Sequence, residues 1–147
     1  KGNRVHYLSF DKELPKKLKE IGFVYDSSLK KFKDSINKED MGHYKLDRIT
    51  EFPITLMDAY MFTYMKISED QVINVVKNTL DFGRKFNREF NILTIAWHDN
   101  VLKMRGGRMY KSILEFLTTQ EDVSICRGID LVEMINSKNC QSQILPR

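Results

Sequence analysis

Long apolar runs are missing from this sequence, and nothing in it approaches the roughly 18 consecutive apolar residues that a membrane-spanning helix needs. The opening residues, Lys1 to Phe10, lack the charged cap and apolar middle of a secretory signal. Cysteine is scarce: Cys126 and Cys140 stand far apart with no Cys-x-x-Cys, which leaves a reduced pair or two unrelated buried thiols as the expectation. The histidines His6, His43 and His98 are too dispersed to give a helical or hairpin ligand pair, so no metal triad is expected within the chain. A glycine-rich phosphate loop and a Gly-x-Ser-x-Gly nucleophile turn are also missing. Charge of one sign is weak as well, since 24 Lys and Arg face 20 Asp and Glu for a net charge of +4. The lysines cluster at Lys16, Lys17 and Lys19 and again at Lys30, Lys31, Lys33 and Lys38. Acidic residues are interspersed with them, so they read as solvated faces, and the pattern argues against a nucleic-acid binder.

What is present is ordinary globular composition. With 147 residues, 41% hydrophobic and 30% charged, the chain can bury one core, so one domain or part of one is expected. Its later two thirds alternate short β-rich apolar runs with amphipathic helices, the pattern of a parallel sheet covered by helices. Ile49 to Met57 reads as a strand blemished by Pro53, followed by a helix that Ser68 caps and along which Val72, Val75, Val76 and Leu80 recur. Phe90 to Trp97 reads as the second strand, and Tyr110, Ile113, Leu114 and Leu117 line the helix after it. Val123 to Cys126 reads as the third, with a last helix beyond Gly128 carrying Ile129, Val132 and Ile135.

The front is less regular. Val5 to Leu8 looks like a strand, Asp11 to Ile21 like a helix ended by Gly22, and Phe23 to Asp26 like another strand; Lys30 to Leu46 has no period and reads as a surface loop. The fold expected is α/β, with a domain over residues 1–136 and a polar tail over 137–147. A strand so near the first residue, with no initiator methionine, suggests a segment of a longer polypeptide.

In such architectures the carboxyl ends of the strands converge on one face, where chemistry is usually placed. Asp58 follows Leu56 and Met57, and His98 follows Ala96 and Trp97. A polar residue after a strand can be a turn or helix cap, and a lone histidine is often structural; a histidine between an aromatic wall and a polar loop (Asp99, Asn100) also suits proton transfer. Arg4, in a polar cluster with His6 and Tyr7, is either a surface charge or a bidentate clamp for a carboxylate. Asp26, Ser27 and Ser28 read as a turn in which Asp26 bonds nearby amides, and His43 is assigned no role.

Gly2 to Asp11, then Ile21-Gly22-Phe23-Val24-Tyr25-Asp26-Ser27-Ser28-Leu29, resemble the middle of NodB-type polysaccharide deacetylases. Glu51-Phe52-Pro53-Ile54, Met57-Asp58-Ala59 and Ile95-Ala96-Trp97-His98-Asp99-Asn100 continue the resemblance in the family's order. It implies the C-terminal part of a distorted (β/α) barrel and a metal-dependent hydrolase that removes acetyl groups from an amino-sugar polymer or glycan. Arg4 then matches the arginine that orients the catalytic aspartate, His98 the general acid, and Asp58 its acidic support; Trp97 and Tyr7 become candidates for substrate contact. The divalent metal, usually zinc, is implied to sit on motifs of the forms Thr-Phe-Asp-Asp and His-x-x-x-His, neither of which occurs in this sequence. The implied partners are an acetylated glycan and the N-terminal half of the domain. Two departures stand out: Ala96 replaces a common leucine, and Lys30 to Leu46 replace a Gly-Phe-Arg-rich stretch. A non-catalytic relative that binds carbohydrate or protein is the alternative.

Overall fold

A computed structural model describes residues 1–86, 90–98 and 105–138. The described residues form six strands and five α-helices: β1 (Gly2–Asn3), α1 (Leu14–Glu20), β2 (Tyr25–Asp26), β3 (Tyr44–Leu46), β4 (Ile49–Glu51), β5 (Ile54–Met57), α2 (Asp58–Thr63), α3 (Val72–Arg84), β6 (Thr94–Ala96), α4 (Arg105–Thr118) and α5 (Gly128–Lys138). Strands β1, β2 and β4 run parallel in a four-stranded sheet of order β1-β2-β4-β3, closed at one edge by antiparallel β3. A second, two-stranded sheet pairs β5 with β6 in parallel. The mixed α/β class is as expected, but neither sheet closes on itself among the described residues.

The segment from Ile49 to Met57 is two strands rather than one, because Pro53 has no N–H for a ladder and divides β4 from β5. Its break redirects the chain from one sheet into the other. A bulge at Thr55 then shifts the β5–β6 register. Thr94 N–H donates to the Thr55 hydroxyl (3.1 Å) while that hydroxyl donates to the Asp40 carbonyl (2.6 Å), so the side chain bridges the irregularity.

The helices follow their signals closely. Ser68 and Gln71 form a capping box one turn ahead of α3. Helix α1 ends in a Schellman turn: Gly22, at φ +81°, donates to Lys19 O (3.0 Å) and Phe23 N–H reaches Leu18 O (2.9 Å). Leu56, Met61, Val72, Val76, Leu80, Ile113 and Leu117 form the larger core, where α2, α3 and α4 cover the β5–β6 sheet. Phe52, Ile92, Val132 and Ile135 form a smaller one under α5. The start of α5 lies so close to β2 that a Cβ on Gly128 would stand 2.7 Å from the Tyr25 ring.

Several expectations need correction. Val5 to Leu8 is not a strand but leads into a 3₁₀ turn over His6–Leu8, with Tyr7 and Leu8 in the left-handed region (φ 56° and 52°). Val123 to Cys126 forms no strand, and Ile125 and Cys126 are exposed, so Cys126 is not a buried thiol; Cys140 lies outside the described residues. The strand expected over Phe90 to Trp97 shortens to Thr94–Ala96. Lys30 to Leu46 is not a surface loop: Asp40, Met41 and Tyr44 are fully buried, and Lys30 pairs with Asp40 at 2.7 Å with both side chains enclosed. Burial works against both charges, lowering the Lys30 pKa and raising that of Asp40, and their mutual hydrogen bond opposes each shift. The helix α5 runs to Lys138, past the expected start of the tail.

Candidate active site

Two polar constellations form where parallel strands end. The first joins the two strands of the smaller sheet. Asp58 is the first residue of α2, directly after β5, and His98 stands two residues beyond β6. The parallel register that pairs Met57 with Ala96 brings the two side chains together: His98 Nδ1 lies 2.8 Å from Asp58 Oδ1. His98 N–H also donates to Asp58 Oδ2 (3.2 Å), and Ala59 N–H donates to Asp58 Oδ1 (2.7 Å). The carboxylate is therefore held by two backbone amides and the imidazole. Its side chain is only 4% exposed, whereas that of His98 is 46% exposed.

That asymmetry fixes the imidazole's chemistry. An ionised carboxylate can only accept, so Nδ1 must carry the proton of the shared bond and Nε2 is the nitrogen left for exchange with a reacting group. Behind the histidine, Trp97 packs edge-on against Phe62 (6.5 Å) and stacks with Tyr110 (6.3 Å, 30°). Trp97 is half-buried at the margin of the larger core, and Tyr110 is the more exposed ring of the stack. Asp99 and Asn100 lie outside the described residues.

The second constellation lies in the larger sheet. Arg4 follows β1 and donates from Nε to Ser27 O (3.0 Å) and from Nη2 to Ser27 Oγ (3.0 Å). Its bonds go to Ser27 and not to Asp58 or His98. Arg4 is exposed as a residue, but partial burial of its guanidinium lowers its pKa, partly offset by Asp26 and Glu51, and it stays a cation at any ordinary pH. Tyr7 is 86% exposed, its ring set beside His6 at 4.0 Å. The five sequence candidates thus fall into two groups: Asp58, Trp97 and His98 meet at the β5–β6 end, while Arg4 and Tyr7 belong to the β1 end.

Asp26 does not bond nearby amides as expected. Its Oδ1 accepts from the Asn3 side chain (2.9 Å) and from Ser28 Oγ (2.8 Å). Glu51, missed as a site residue, is fully buried beside it. The period of two that places Glu51 on the same face as buried Ile49 is the signal that could have found it.

No family model and no curated protein sequence matches this chain. In structure it is similar to "putative polysaccharide deacetylase from Mycobacterium smegmatis", a crystal structure that it matches with a TM-score of 0.68 at 18% identity over 99% of the chain. The likeness is one of fold. The chain spans about half, 52%, of that protein's length. Among the described residues no group of three His, Cys, Asp or Glu could hold a metal ion, so the residues present do not fit the metal that the resemblance implies.

Proposed function

We propose that this chain forms one wall of a polysaccharide deacetylase-like hydrolase site, acting on an acetylated amino-sugar polymer or glycan. The observation that carries the reading is the Asp58–His98 pair at the ends of adjacent parallel strands, one partner buried and the other open. The similarity in fold to the "putative polysaccharide deacetylase" structure gives the pair its context.

In this reading His98 is the general acid. When water adds to an acetamide carbonyl and the carbon–nitrogen bond breaks, the departing amine needs a proton, and Nε2 supplies it. Asp58 is a positioning residue: it selects the Nδ1–H tautomer and holds the ring. Arg4 would orient a carboxylate by a bidentate contact, and Trp97 and Tyr7 would meet the sugar. Activation of the water would call for a base and a divalent metal such as zinc, and no group of three His, Cys, Asp or Glu among the described residues would hold that metal.

The test is deacetylation of an acetylated chito-oligosaccharide by the full-length protein. His98→Ala is expected to lower turnover by on the order of 10²–10⁴, the usual span for a general acid. Unchanged turnover would exclude His98 from that role.

A further inference from the structure

Asp26 and Glu51 are partners in the parallel register of β2 and β4, which sets two carboxyls side by side, both with no exposed surface. Each has one oxygen committed and one free. Glu51 Oε1 accepts from Ser28 N–H (3.1 Å) and Leu29 N–H (2.8 Å), and Asp26 Oδ1 accepts from Asn3 and Ser28 Oγ. Asp26 Oδ2 and Glu51 Oε2 are buried with no hydrogen-bond donor. Two ionised carboxylates cannot satisfy one another, but one proton between them satisfies both oxygens and removes the repulsion.

Several bonds around this pair lead to the segment that carries Arg4. Ser28 Oγ donates to Asp26 and accepts from Val5 N–H (2.9 Å); Asn3 is tied to Asp26; Ser27 N–H donates to Asn3 O (3.0 Å). Ser27 Oγ donates to Phe52 O (2.8 Å) while accepting from Arg4. Residues 3 to 5 are thus clamped from three successive residues of β2 and its extension, and Glu51 anchors that extension through two amides.

We infer that Asp26, Ser27, Ser28 and Glu51 are positioning residues for Arg4, in which two buried carboxyls that share one proton hold the guanidinium fixed at the end of β1. The inference deepens the proposed function and rests on its reading of Arg4 as an orienting group. Among the described residues the groups facing Glu51 are few. Asp26 approaches from β2 and Arg4 from the β1 end. From β3 comes Tyr44, whose hydroxyl is spent on Glu39 O. Helix α1 packs on β4 through Leu18, with Lys16, Lys17 and Lys19 exposed. Burial first, and Asp26 second, push the Glu51 pKa up to about 8, so the shared proton is present at neutral pH and lost above it.

The measurement is the ¹⁵N-edited resonance of the Arg4 Nε–H in the full chain, followed from pH 6 to pH 9.5. In the wild-type chain it is expected to titrate with a midpoint near 8, where Glu51 loses its proton. Glu51→Gln, which keeps an uncharged partner, should retain the resonance and abolish the titration. Ser27→Ala, which removes the Oγ acceptor of Nη2 and leaves the Nε–H bond to Ser27 O in place, should speed Nη2–H exchange about tenfold, the effect of losing a hydrogen bond of ordinary strength. A wild-type resonance without a titration, one that titrates equally in Glu51→Gln, or exchange unaltered in Ser27→Ala would overturn the inference. No turnover is needed. A deacetylase-inactive full-length protein whose Arg4 resonance behaves as expected would therefore refute the function and leave the positioning network standing.

Discussion

Asp58 and Asp26 both sit where a parallel strand ends, and both are buried, yet their neighbours divide them. Asp58 meets a histidine whose far side is open to solvent, whereas Asp26 meets a second carboxyl with no opening at all. A buried carboxylate with a half-exposed partner can pass a protonic change outward; a buried carboxylate with a buried partner can only hold a shape. The strand-end position is common to both, so the partner rather than the position separates a candidate for chemistry from a candidate for positioning.

The largest effect that can test this contrast is on stability against pH. Glu51 has a folded pKa above its ordinary value of 4.5, so the folded chain binds more protons than the unfolded one between there and about 8. The stability from this group is complete below the lower value and is lost as pH rises through the upper one. At 1.36 kcal/mol per pKa unit, the loss is roughly 3–6 kcal/mol across that window. Urea unfolding at several pH values should record it in the wild-type chain, and Glu51→Gln should flatten the curve.

Next comes the enclosed Lys30–Asp40 pair. Asp40→Ala leaves a buried ammonium without its counter-ion and is expected to cost about 3–5 kcal/mol in chemical denaturation. A loss below 1 kcal/mol would mean that residues 30–46 are not packed as described. By contrast, His98→Ala should change stability by only about 1 kcal/mol or less, because the ring is half open to water and little packing is lost. Thermal melting of that variant beside Asp40→Ala separates the open pair from the closed one. The smallest effect belongs to Cys126→Ser: at an exposed position outside any strand, the midpoint should move by no more than a change of about 0.5 kcal/mol implies.

The parts legible in the sequence were those with a repeating local cause. Val72, Val76 and Leu80 recur at helical spacing, Ser68 announces a cap, and Gly22 marks the end of α1, so these elements fall where expected. Asp58 and His98 could be singled out because each follows an apolar strand, although only the β5–β6 register shows that they touch. The failures share a different cause. Residues 30–46 have no period because their order comes from tertiary bonds: the Lys30–Asp40 pair, the Thr55 bridge, and Gly42 N–H on Ile92 O at 2.7 Å. Val123 to Cys126 has the composition of a strand but finds no ladder partner among the described residues, and composition alone cannot supply one. Glu51 was hidden by its charge, since a buried glutamate is tolerated only when a neighbour 25 residues away in sequence shares its proton.

The central claim is that Asp58 acts through His98, and a double-mutant cycle on turnover tests it most directly. The full-length protein would be assayed on an acetylated chito-oligosaccharide as wild type, Asp58→Ala, His98→Ala and the double variant. If the two residues work as one unit, the double variant is no slower than His98→Ala alone, because the carboxylate has nothing left to orient. Losses that multiply would contradict the account and make Asp58 and His98 independent contributors.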